Sequence, residues 1–253
     1  MTGLTVLLGK ELLEQWRTRR LPVVAVVFLA FGIASPVLAR YLPEIVKALG
    51  GAGFEIQFPE PTAKDAVDQF LKNLGQAGVL TAILLAMGSV ANEKERGTAA
   101  LVLSKPASRA AFLVAKVLAI GATLLVSVIL ASAAAYLYTA ILFPAPGALG
   151  WAAMTGLLLL SLLGYTALTF LGSTLTRSSL AAAAIGVSGL VGLALVSALP
   201  NVARYTPGGL SAPGTSLAIG GDAGDVLGPV LANVALVIAL VGASWLAFRR
   251  QEL

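Results

Sequence analysis

The chain has 253 residues, of which 58% are hydrophobic and only 11% charged, well below the charged share of a soluble domain. It has no cysteine and no histidine, which excludes disulfides, thiolate or imidazole metal sites, cysteine nucleophiles and histidine proton relays. The net charge of +5 fits either nucleic-acid binding or membrane orientation, and the positions of the basic residues decide between the two.

The N-terminal residues 1–20 are predicted to form an amphipathic interfacial helix. Leu4, Leu8, Leu12 and Trp16 recur at four-residue steps, which places them on one side of a helix. A cleaved signal peptide is the competing interpretation, because residues 34–39 resemble a cleavage region. The long charged lead and the long apolar run that follows it disfavour cleavage.

Six apolar stretches are long enough to cross the hydrocarbon core, which takes about 20 helical residues. They cover residues 21–42, 74–91, 117–143, 151–175, 180–199 and 226–248. Arg40 is the one charged residue inside them, and its side chain can reach the headgroups from its place near an end. The sequence therefore predicts an all-α, polytopic membrane protein with a six-helix transmembrane domain over residues 21–253.

The basic residues predict that both termini lie in the cytoplasm. With that orientation, the inside segments hold 12 of the 17 lysines and arginines. Basic residues concentrate in cytoplasmic loops, so the excess of positive charge is explained by orientation, with no role for nucleic acid.

Two outer loops, 43–73 and 200–225, are too long to be simple turns. In the first, Thr62 can cap a short helix over 63–71. The second is rich in Gly, Pro, Ser and Thr, and its Leu210 and residues 217–219 either dip into the outer interface of the membrane or stay in a surface loop. The sequence leaves these two alternatives open.

Small residues recur at helical spacing in two spans. They are Ser127, Ala131 and Ala135 in the third span, and Gly186 and Gly189 in the fifth. Such stripes allow membrane helices to approach closely, so we predict helix packing here rather than a substrate path.

The segment 92–116, between the second and third spans, combines charged and apolar residues. Gly97 permits a change of direction, residues 99–103 form a short apolar helix, Pro106 ends it, and Ser108 can cap the next helix. This helix is too short for a core of its own and too closely bracketed by charges for lipid. It is either a docking surface for a cytoplasmic partner or a loop lying on the headgroups.

The same segment resembles the E-x-x-x-G-T … P-x-[ST]-R … K signature of ABC-2 family permeases, the membrane subunits of type V ATP-binding cassette (ABC) transporters. The positions concerned are Glu93, Glu95, Arg96, Gly97, Thr98, Leu101, Leu103, Lys105, Pro106, Ser108, Arg109 and Lys116. The predicted topology also resembles that family, so the similarity extends over essentially the whole chain.

The resemblance implies the roles of several segments. The N-terminal helix would be the connecting helix, and residues 97–104 the coupling helix that contacts the ATPase, with Glu93 and Glu95 as acidic contacts. The turn 176–179, with Arg177, would be a second coupling point, and 200–225 would hold short outer helices that close the pathway. The implied partners are a cytoplasmic ABC ATPase, a second permease subunit in a homo- or heterodimer, and the lipid bilayer.

The resemblance implies an exporter permease, multi-pass in the plasma membrane of a bacterium or archaeon. No cofactor is expected in this chain, since ATP and Mg²⁺ would be bound by the partner ATPase. The nearest approach to a P-loop, Gly3 to Glu11, has the wrong spacing and lacks the required Ser or Thr, so we predict no enzyme activity. The alternatives are an ABC-type mechanotransmission or assembly component acting on a periplasmic or membrane partner, and a gradient-driven carrier or channel, which the lack of acidic, lysine or histidine side chains in the spans disfavours.

Overall fold

The structure, a computed structural model, describes residues 2–49, 59–103 and 108–251, apart from the side chains of residues 2, 47–49 and 103. These residues contain helices and no strand. The helices are α1 Thr2–Arg17, α2 Arg20–Leu49, α3 Ala63–Met87, α4 Ala91–Glu95, α5 Thr98–Leu103, α6 Arg109–Leu142, α7 Ala148–Leu175, α8 Ser179–Ser197, α9 Pro200–Ala203, a 3-10 helix Pro207–Leu210, α10 Ser211–Ala218 and α11 Leu227–Arg249.

Six helical segments in the described part of the chain are long and apolar enough to cross a membrane. They are Arg20–Val46, Ala63–Glu95, Arg109–Leu142, Ala148–Leu175, Ser179–Ser197 and Leu227–Arg249. The predicted all-α fold with six transmembrane helices is confirmed, and the chain is a multi-pass membrane protein.

Some helices extend beyond the predicted spans and shorten the predicted outer loop 43–73. Helix α2 continues past residue 42 to Leu49, and the short helix predicted over 63–71 is the first part of α3, which continues into the second span without a break. A hydropathy window ends where charges begin, whereas the backbone hydrogen bonds of a helix continue into the interface. At the start of α3, the Asp65 carboxylate accepts hydrogen bonds from the backbone N and the hydroxyl of Thr62, at 2.8 and 2.7 Å.

The segment between α8 and α11 folds back into the bundle. Pro207 packs on Gly164, where an added Cβ would lie 3.0 Å from the proline Cγ. Gly164 is roughly 24 Å along α7 from Ala148, at about 1.5 Å per residue. Leu210 is only 1% exposed. The residues around Pro207 and Leu210 are therefore packed against the bundle rather than held in an open surface loop, and protein covers their irregular backbone.

Close contacts between helices occur where the sequence has small residues. Gly32 of α2 lies directly against the backbone carbonyl of Ala131 in α6, and a Cβ at this glycine would overlap it. The other residues of the α6 stripe, Ser127 and Ala135, are also fully buried. In α8, Gly186 lies on Thr169 of α7 and Gly189 lies on Leu168.

Candidate functional site

One end of the bundle collects α1, α4, α5, the start of α6, the α7–α8 turn and the residues after α11. We call it the terminal end because it holds the first helix and the last described residues of the chain. Lys10 of α1 bonds to Glu93 of α4 at 3.1 Å, and Lys94 of α4 bonds to Gln251 at 3.0 Å. The predicted coupling segment 92–116 thus lies between the two ends of the chain.

Five charged side chains form an ion-pair cluster at the terminal end: Lys10, Glu11, Glu14, Glu93 and Lys116. The Lys116 ammonium donates to Glu93 Oε1 at 2.7 Å and to Glu11 Oε1 at 3.0 Å. Its side chain is 3% exposed, and those of Glu11 and Glu93 are 8% and 15% exposed. Buried charges persist only when they are paired, so this cluster fixes α1, α4 and α6 relative to one another.

Lys10 completes the cluster from the solvent side. Its Nζ lies 2.9, 3.1 and 3.1 Å from carboxylate oxygens of Glu11, Glu14 and Glu93. Burial lowers the pKa of Lys10. The negative charges of Glu11 and Glu93, and the hydrogen bonds that Lys10 donates to them, raise it by more, so the pKa lies above its usual range.

Among the described residues, the carboxylates of Glu11, Glu14 and Glu93 form the one group of acidic side chains close enough together to hold a metal ion. Their oxygens lie within 4.8 Å of one another. The Lys10 ammonium forms ion pairs with all three carboxylates, so a lysine supplies the positive charge between them.

Helix α1 turns a polar side toward the bundle, which the sequence did not reveal. Glu11 and Gln15 are 6% and 4% exposed, whereas Leu13 and Trp16 are 49% and 62% exposed. The apolar residues are thus available to lipid while the carboxylate of Glu11 faces Lys116 of α6. The one sequence signal for this arrangement is Lys116 itself, since a lysine beside an apolar span needs a counter-ion.

Helix α4 is also fixed to α7. The backbone N–H groups of Val90 and Ala91 both donate to Ser173 Oγ at 3.0 Å. Lys94 Nζ donates to the backbone oxygen of Thr174 at 2.7 Å, and the Gln251 amide donates to that oxygen at 2.9 Å. The C-terminal end of α7, the residues after α11 and α4 therefore form one connected unit.

Helix α5 follows α4 through a tight turn and has one buried side. Gly97 has a φ of +69°, a conformation that glycine adopts without strain, so the predicted change of direction is confirmed. The Thr98 hydroxyl donates to the Glu93 backbone oxygen at 3.2 Å. Ala99 is 1% exposed, and Val102 packs against the core, whereas Leu101 is 69% exposed. The helix predicted over 99–103 is present and presents an apolar side chain outward.

The start of α6 anchors the end of α11. Ser108 caps α6 by accepting a hydrogen bond from the Ala111 backbone N at 3.0 Å, which confirms the predicted cap. Arg109 Nη1 donates to the backbone oxygens of Phe248, Arg249 and Gln251, at 3.3, 2.9 and 2.9 Å. A cation at the C-terminal end of a helix satisfies carbonyls that have no partner inside the helix.

The remaining predicted site residues are either exposed at the terminal end or outside the described part of the chain. Glu95 and Arg96 are exposed beside α5, and Arg177 is exposed in the α7–α8 turn, where its positive charge acts on Lys94. Lys105 and Pro106 lie outside the described residues, as does the side chain of Leu103. The structure thus brings 93–102, 108–116 and 177 to one end of the bundle.

A polar cavity of about 340 Å³ separates α5 from α1. Thr98 and Val102 form part of one wall, and Gln15 and Lys116 form part of the others. Among the described residues, Glu93 Oε2 and Gln15 Oε1 are buried without a hydrogen-bond partner.

Comparison with known proteins places the chain in a family. Residues 5–207, which include most of α1, the ion-pair cluster and α5, match the sequence model of the ABC-2 family transporter proteins. The chain is also similar to the uncharacterized transmembrane protein YxlG of Bacillus subtilis (strain 168), with 31% identity over 257 residues, covering 100% of this chain and 99% of the relative. The protein belongs to the ABC-2 family of transporter membrane proteins.

Proposed function

We propose that this chain is the permease subunit of an ABC exporter, with its terminal end in the cytoplasm. A separate ABC ATPase binds ATP and Mg²⁺, docks on α5 and on the turn around Arg177, and a second permease subunit completes the pathway. The family membership supports a transporter membrane component, and the excess of basic residues on this side supports the orientation.

The observation that carries the proposal is the geometry of α5. One side of this short helix packs on the bundle through Ala99 and Val102, while Leu101 is exposed, as are the charged residues Glu95 and Arg96 just before the helix. An apolar anchor within a rim of charges is the usual composition of a protein contact, in which charges orient the partner and the apolar group contributes affinity.

The connections of α4 explain how movement of α5 would reach the spans. The Thr98 hydroxyl ties α5 to the backbone of Glu93, and the Glu93 side chain bonds to Lys116 of α6 and Lys10 of α1. Ser173 ties the start of α4 to α7. A force applied to α5 by closure of the ATPase therefore acts through polar contacts on α1, α6 and α7.

The polar cavity behind α5 gives this movement room. Close-packed interiors resist displacement, whereas α5 and α1 have a cavity of about 340 Å³ between them. In this proposal Glu93 is a positioning residue inside the permease, and Glu95 takes the role of the acidic contact with the ATPase.

Exposed apolar faces support a second permease subunit. Helix α8 buries only Ala182 and Gly186 within the described chain. Leu180 and Leu195 of α8 are 79% and 69% exposed. Such a helix can contact either lipid or another subunit, and the implied dimer would cover part of this face.

The test replaces Leu101 by Asp and measures ATP hydrolysis by the partner ABC ATPase, co-reconstituted with the permease in proteoliposomes. We expect the permease to stimulate or restrain hydrolysis, and Leu101→Asp to abolish that effect. Leu149→Asp is the matched control, because Leu149 is 87% exposed at the opposite end of the bundle. Equal effects of the two variants, or no effect of the permease on hydrolysis, would contradict the proposal.

A further inference from the structure

A second cavity, of about 420 Å³, lies at the end of the bundle opposite the terminal end. It is a cleft between α3 and α7, closed on one side by the 3-10 helix and α10. We call it the outer cleft. Its volume is within the range of small-molecule sites, about 300–1,000 Å³.

The inner walls of the outer cleft are apolar. Leu71 and Val79 of α3 and Leu157 and Leu158 of α7 line it, and each of these side chains is at most 7% exposed. The 3-10 helix contributes Leu210. This part of the lining fits an alkyl chain or another apolar body.

The mouth of the outer cleft carries two charged side chains, Lys72 and Asp68. Lys72 is exposed at its edge and makes no ion pair with the described residues. The other charged lining residue, Asp68, is already paired, with one oxygen 2.6 Å from Lys64 and the other 2.7 Å from the Thr215 hydroxyl. Gln76, one turn further along α3, places an amide donor beside Lys72.

Gly75 keeps the cleft open on the α3 side. It lines the cavity between the apolar and the polar parts, and an added Cβ would meet no atom within 4 Å. The glycine is therefore not required for close helix packing at this point. A larger residue here would fill the cleft without displacing a neighbouring helix.

We propose that the outer cleft binds an anionic amphiphile, with its carboxylate or phosphate at Lys72 and Gln76 and its alkyl chain between α3 and α7. Lys72 selects the head group by its charge, since Asp68 is already paired with Lys64 and Thr215, and the apolar walls select the chain. This binding requires no ATPase, so it is independent of the proposed coupling.

The experiment uses the full-length chain in nanodiscs of zwitterionic phosphatidylcholine and a hexadecanoate probe that carries a photoreactive diazirine on its chain. We expect saturable labelling of peptides from α3 and α7. The corresponding diazirine hexadecanol should need about a tenfold higher concentration, because it lacks the charge-assisted contact. Equal half-saturation by the acid and the alcohol would overturn the proposal, and so would labelling confined to other helices.

Four variants separate the two parts of the site. Lys72→Gln should bring the carboxylate to the concentration that the alcohol requires, and Gly75→Leu should abolish labelling by both probes. The matched controls are Arg204→Gln, an exposed cation outside the cleft, and Gly156→Leu, a glycine of α7 with open space around it. Both controls should label as the unchanged protein does, and unchanged labelling of Gly75→Leu would overturn the proposal.

Two further measurements complete the test. Ala212→Trp fills the cleft from α10 and gives the same readout if Gly75→Leu does not fold. Replacing phosphatidylcholine by anionic phosphatidylglycerol identifies the source of the amphiphile. Loss of labelling assigns the cleft to a membrane phospholipid, and retained labelling assigns it to a single-chain acid; both results support the site.

Discussion

Removal of the Lys116 ammonium is the sharpest perturbation of the ion-pair cluster. Lys116→Met keeps most of the side-chain volume but leaves the Glu11 and Glu93 carboxylates, only 8% and 15% exposed, without the donor that lies 3.0 and 2.7 Å away. Breaking a buried ion pair from one side costs about 3–5 kcal/mol. Because Lys10 still contacts both carboxylates, we expect a loss near the lower limit, about 3 kcal/mol.

The control and the rescue follow from the same geometry. Lys10→Met removes an ammonium whose side chain is 44% exposed, which should cost about 1 kcal/mol or less. Adding Glu93→Gln to Lys116→Met restores the charge balance of the cluster, so the double variant should be more stable than Lys116→Met alone. The measurement is reversible unfolding in mixed micelles, followed by tryptophan fluorescence. Equal losses for Lys116→Met and Lys10→Met, or strictly additive effects in the double variant, would refute the reasoning.

Three more predictions concern packing, the C-terminal contact and orientation. Gly32→Leu should cost at least about 3 kcal/mol in the same unfolding assay, because its Cβ overlaps a backbone carbonyl of α6, whereas Gly156→Leu should cost less than about 0.5 kcal/mol; similar losses would contradict the close approach. Arg109→Ala should accelerate amide hydrogen exchange in the last turn of α11, whose carbonyls it holds, and unchanged exchange would argue against that role. The chain has no native cysteine, so an impermeant thiol reagent should reach Glu95→Cys only from the cytoplasm and Ser211→Cys only from outside; labelling of both from one side would disprove the orientation.

The transmembrane helices could be predicted because lipid imposes a simple requirement on length and polarity. The turn at Gly97 and the cap at Ser108 were also predictable, since each depends on the properties of one residue and its immediate neighbours. These features are local, and the sequence shows them directly.

The ion-pair cluster was not predictable in the same way. Periodicity shows that α1 has a polar side, but not whether that side meets water or protein. The outcome depends on Lys116, which pairs with Glu11 across a large separation in sequence. The same limit applied to the segment around Pro207, whose composition suits a surface loop as well as a segment packed on Gly164 of α7.

Docking of an ABC ATPase on α5 is the central claim, and site-specific photo-crosslinking tests it most directly. The photoreactive amino acid p-benzoylphenylalanine replaces Leu101, an exposed apolar residue of α5, in membranes that contain both the permease and the ATPase. The account predicts a covalent product with the ATPase from position 101 and none from the same amino acid in place of Leu149. A protein that is active with its ATPase but gives no crosslink from position 101, or crosslinks equally from both positions, would contradict it.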